Sequence, residues 1–132
     1  LLWWLVHAPQ AALDAIAALE PADVEGLASR SVLDLSRKLN EDKGFSQTLL
    51  FGGLSPAEVH LVTAAASASE PHVHDTAECV RILRRMRYER ERTRVQSEID
   101  RVQQRGDGAP PGHLEELLTR KYDLIQKIEA LA

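Results

Sequence analysis

Apolar positions along the chain recur at spacings of three and four, and nowhere alternate over a useful length, which predicts helices and no sheet. Leu1 to His7 is apolar almost all round and reads as a buried first helix. Pro9 restarts the chain at a residue type favoured in a first turn. Ala11, Ala12, Leu13, Ile16, Ala17 and Leu19 then give a second helix, which Pro21 ends. Val24, Leu27, Val32, Leu35 and Leu39 predict a third from about Ser29 to Leu39, followed by a polar loop over Asn40–Gly44. Phe45, Leu49, Leu50 and Phe51 suggest a short helix closed by Gly52 and Gly53. Ser55, Pro56 and Glu58 supply an N-cap, a first helical residue and a capping-box acid, for a helix reaching about Ala68.

The connector Ser69–His74 contains Pro71, and Asp75 can cap a new helix with Glu78 three residues on. No helix breaker occurs from Thr76 to Arg105, so the pattern allows one helix of roughly 45 Å. The glycine- and proline-rich segment 106–112 reads as a turn, and His113 to Leu131 as a returning helix of roughly 28 Å. The shorter arm can pair only with the second half of the longer one. In the first half, Ala77, Val80, Ile82, Leu83 and Met86 cover a broad face, as packing into a bundle requires. Beyond it the pattern narrows to Tyr88, Val95, Ile99 and Val102, the spacing of a coiled-coil seam. The expected fold is all-α: a helical bundle (residues 1–87) followed by a long C-terminal helical hairpin (residues 88–132). On the last helix, Leu114, Leu117, Leu124, Ile128 and Leu131 supply a seam, while Leu118, Tyr122 and Ile125 widen the apolar face and Gln126 and Glu129 border it. One partner helix does not need that width. The surplus is either a docking face for another protein or a face folded back onto the bundle.

Composition and charge refine this picture. The 132 residues fit one domain, and the 44% of apolar residues, with few aromatics, suit a Leu/Ile/Val/Ala core. The single cysteine, Cys79, permits no internal disulfide and fits a reducing compartment. The longest apolar run, Leu1 to Val6, is too short to span a bilayer and lacks the features of a signal peptide. Because the chain starts inside that run, we expect a piece of a longer protein. The net charge of −4 is unevenly spread: residues 1–76 carry four basic and ten acidic side chains, residues 77–132 twelve and ten. Nine arginines lie between Arg81 and Arg105 against four acids. This reads as a solvated helix laced by local pairs such as Arg85–Glu89, Arg87–Glu91 and Arg94–Glu98; phosphate contact is the sharper alternative.

Candidate chemistry is sparse. His72, His74, Asp75 and Cys79 have metal-ligating side chains but match no common ligand spacing, and read better as a connector and helix cap. No P-loop, GxSxG or dinucleotide fingerprint occurs. Trp3 and Trp4 read as core, one of them at a partly exposed edge. The residues predict no catalytic site, no metal site and no cofactor.

The opening LLWWLVHAPQAALDAIAAL, the long AECVRILRRMRYERERTRVQSEIDRVQQRGDG and the closing HLEELLTRKYDLIQKIEAL occur in an order that resembles the C-terminal domain of bacterial DNA primase (DnaG type), over essentially the whole chain. The resemblance implies a helical bundle and hairpin that synthesise no primer. It implies that the domain tethers the primase to the N-terminal collar of the hexameric replicative helicase (DnaB type) in the bacterial cytoplasm. The zinc-binding and catalytic domains would precede Leu1. The implied docking face falls on the last helix around Tyr122, Gln126, Glu129 and Ala130, which joins Leu118 and Ile125 of the widened apolar face. It implies no direct nucleic-acid binding and no membrane. The proline-rich turn and the density of arginines depart from the family pattern. The N-terminal domain of the helicase itself has a similar fold and is the nearest alternative. A nucleic-acid-binding module using the Arg81–Arg105 helix and the hairpin of an unrelated adaptor are two others.

Overall fold

The computed structural model describes residues 1–42, 44–105 and 112–132. Among them are seven α-helices and no strand: α1 (Leu2–His7), α2 (Pro9–Ala18), α3 (Arg30–Asp42), α4 (Gln47–Gly52), α5 (Pro56–Ala66), α6 (Thr76–Arg105) and α7 (His113–Ala130). The fold is all-α. Contacts divide the chain into two compact units, Leu1–Arg81 and Ile82–Ala132.

In the first unit α1 packs on α2 and α5, α2 on α3, and α3 on α4. Leu5, Ala12, Ile16, Val32, Leu50 and Val62 are almost completely buried and form its centre. The helix ends are tied by side chains. Pro21–Val24 forms a 3₁₀ turn with a reciprocal cap, in which the backbone N–H of Glu20 donates to the fully buried Asp23 at 2.8 Å. Ser55 and Glu58 form the capping box expected of them: Ser55 N–H donates to Glu58 Oε1 at 2.9 Å, and Glu58 N–H to Ser55 Oγ at 3.2 Å. Arg37 reaches from α3 to the end of α2 and donates to the carbonyl oxygens of Ile16, which also accepts the Leu19 N–H, and of Leu19. Gln47 donates to the Val6 carbonyl at 2.7 Å.

Both tryptophans fasten the α5–α6 connector. Trp3 Nε1 donates to the Ala68 carbonyl at 3.0 Å and Trp4 Nε1 to the Val73 carbonyl at 3.1 Å. The two rings meet edge to face, 5.2 Å between centroids, and His7 stacks on Trp3 at 4.3 Å. A ring nitrogen of His7 lies 2.9 Å from the Ala66 carbonyl; a carbonyl only accepts, so that nitrogen carries the proton.

Three sequence expectations need correction. The third helix runs through the polar residues Asn40, Glu41 and Asp42 instead of ending at Leu39. These residues are exposed, so a polar stretch there costs nothing in burial, and no proline or glycine interrupts it. The fifth helix ends at Ala66, two residues short of Ala68. On the first half of α6 only Val80 of the expected apolar face is buried and Leu83 half-buried, while Ala77, Ile82 and Met86 are exposed. The turn expected over 106–112 lies outside the described residues except for Gly112, which is left-handed at φ 80°.

Candidate docking face

The second unit is organised by one seam between the later part of α6 and α7. Val95, Ile99 and Val102 from α6 cluster with Leu117 and Leu124 from α7, all buried, and Tyr88, Leu114 and Leu118 pack against them. These are the α6 residues whose seven-four-three spacing predicts a seam. Burying each such side chain is worth about 1.5–3 kcal/mol, which a short helix needs to persist in water. Gly112 starts α7 without a side-chain cap, and Glu115 and Glu116 in the first turn complement the partial positive charge there. Toward the other end, Lys127 Nζ lies 5.4 Å from the centre of the Tyr88 ring, and the Arg87 guanidinium approaches the same ring at 5.4 Å. Arg87 also pairs with Glu91 at 3.1 Å, both being mostly covered. The ring thus collects two cations and fixes where the end of α7 meets α6, a contact that hydrophobic periodicity alone does not reveal.

With Leu117, Leu124 and Ile128 buried, the rest of α7 sorts by angle. Leu118 and Ile125 are half-buried, and Tyr122 is 61% exposed. Gln126, Glu129 and Ala130 are exposed. Leu118, Tyr122, Ile125 and Glu129 follow one another at spacings of four, three and four, so they form one stripe beside the seam. The six residues singled out in the sequence therefore share one side of one helix: Leu118 contacts the core, Tyr122 stands clear of it, and Gln126, Glu129 and Ala130 continue the surface toward the end. Glu115 was not among them. It lies three residues before Leu118 and is exposed; extending the stripe backward by one step finds it.

The arginine-rich stretch of α6 is laced by acids. Arg85 pairs with Glu89 at 3.4 Å, Arg101 with Glu98 at 3.8 Å, and Arg81 with Glu78. The Glu78 carboxylate holds the Arg81 guanidinium proton more firmly than usual, by hydrogen bond and then by charge. Such exposed pairs add little stability, but they lower the positive field that a polyanion would meet.

Elsewhere the chain offers less. A hollow of about 420 Å³ in the first unit lies among Leu2, Trp3, Trp4, Leu61, Ala64 and Val73. Both indole N–H groups that reach it are already bonded to carbonyls. His72 and His74 are exposed whereas Cys79 is buried, and no group of three or more metal-ligating side chains converges among the described residues. Among the same residues no helix is long and apolar enough to cross a membrane. No family model, curated protein or solved structure matches the chain.

Proposed function

We propose that this chain is the helicase-docking domain of a bacterial DNA primase and that the exposed stripe of α7 is its contact surface. The observation that carries the reading is Tyr122: a large aromatic residue, 61% exposed, between two half-buried aliphatic neighbours on a helix whose opposite side is already buried in the hairpin. Aromatic side chains in that setting are frequent anchors of protein interfaces. The order of motifs along the chain adds the identity of the partner. In this reading the domain performs no chemistry. It supplies a tether, and the hairpin core holds α7 rigid so that little ordering cost falls on association.

The test is a binding isotherm between the chain and the replicative helicase from the same cell. Tyr122→Ala is expected to weaken binding at least about thirtyfold, as an anchor residue would, with no loss of helical circular dichroism. Equal affinity for the variant and the parent would remove the α7 face from consideration. A chain that ignores the helicase but binds DNA, with affinity falling steeply as salt rises, would favour the arginine-helix alternative.

A further inference from the structure

Given docking through α7, we infer that the face selects its partner by charge: the occupant is an apolar groove with a basic rim, and Glu129 is the residue that senses that rim. The apolar stripe Leu118–Tyr122–Ile125 is bounded lengthwise by two exposed carboxylates, Glu115 and Glu129, about 21 Å apart along the helix. Its outer border carries neutral Thr119 and Gln126. Two of the three basic side chains of α7, Arg120 and Lys127, lie off this face. Lys127 is over the Tyr88 ring. Lys121 is half-buried at the inner border, one turn from Leu118 and Ile125 of the stripe and from Leu117 and Leu124 of the seam. Arg120 falls about half a turn away from Tyr122 at 3.6 residues per turn. The exposed charges at both ends of the stripe are therefore acidic, although the segment 77–132 as a whole is basic.

Helix stability accounts for one of the two carboxylates and not for the other. Glu115 is in the first turn, where negative charge complements the helix dipole. Glu129 is in the last turn, where the dipole favours a cation, and its carboxylate makes no ion pair among the described residues. A residue placed against its local preference, without a local partner, points to a requirement outside the helix. A basic group on the partner meets that requirement, and a rim charge of this kind governs association rate and salt dependence.

The experiment uses the whole chain with Glu129→Lys and Glu129→Gln, thermal melts, and binding to the replicative helicase at about 50 mM and about 300 mM salt, a range over which screening changes strongly. Glu129→Lys is expected to melt no lower than the parent, since it restores the dipole preference. It should nevertheless bind roughly tenfold or more weakly at low salt, with Glu129→Gln between the two and the parent's affinity falling as salt rises. Opposite signs for stability and binding cannot come from misfolding. If Glu129→Lys binds as tightly as the parent or more tightly, while Tyr122→Ala still fails to bind, the charge inference is overturned and docking through α7 stands. If the parent does not bind the helicase, the docking reading falls and the charge inference falls with it.

Discussion

Single residues hold the first unit at its helix ends, and two of them make measurable predictions. The carboxyl of Glu58 is held below its ordinary value, first by the backbone N–H of Ser55 and then by the Ser55 hydroxyl, with a small opposing effect of desolvation. A carboxyl lowered on folding contributes stability above its unfolded value and loses it as pH falls through the lower folded value. Stability of the parent should therefore decline on the acid side of the ordinary glutamate range. Ser55→Ala should melt lower at neutral pH and show a shallower decline in acid; equal slopes in melts recorded over that range would show that the box does not form. Arg37 acts on uncharged partners, so its effect is different. Arg37→Met keeps the aliphatic stem but leaves the Ile16 and Leu19 carbonyls without their charged donor, at a cost of about 1–3 kcal/mol in urea unfolding. Asp23 gives the residue-scale lesson about legibility. Ser55-Pro56 announces a helix start by residue type, whereas Glu20-Pro21 does the same work with a longer acid at the cap and is visible only once the reciprocal hydrogen bonds are seen.

At the scale of elements, the seam of the hairpin was readable because its geometry is local: Tyr88, Val95, Ile99 and Val102 needed only the repeat of one helix. The last helix was readable for the same reason, with Leu117, Leu124 and Ile128 buried and Tyr122 left outside. The same periodicity misleads at Ile82 and Met86. Periodicity says that residues share a side of α6; it does not say whether another helix arrives to cover them, and these are 37% and 41% exposed. Polarity likewise suggests a loop at Asn40–Asp42, although exposed polar residues are ordinary on a helix surface and α3 runs through them. For the hairpin the direct prediction concerns Leu124, 3% exposed in the centre of the seam. Leu124→Ala should destabilise that unit by about 2–5 kcal/mol through lost burial and the cavity left behind, measured by chemical denaturation monitored on the helical signal.

For the molecule as a whole, the separation into two contact units makes the Leu124→Ala variant informative beyond its magnitude. Amide hydrogen exchange should accelerate in α7 and in the later part of α6, with much smaller changes in α1 to α5, because each unit has its own buried cluster. Uniform acceleration throughout would mean a single cooperative block. The staple made by Trp3 and Trp4 has one more consequence at this scale. Both tryptophans of the chain lie in the first unit and both tyrosines, Tyr88 and Tyr122, in the second. Near-ultraviolet spectroscopy is therefore divided along the same line as the contacts. Indole emission excited at its red edge reports whether the Ala68 and Val73 carbonyls are still held. Phenol absorbance reports the hairpin: one ring has two cations close to it, and the other stands in water, ready to change when something covers it.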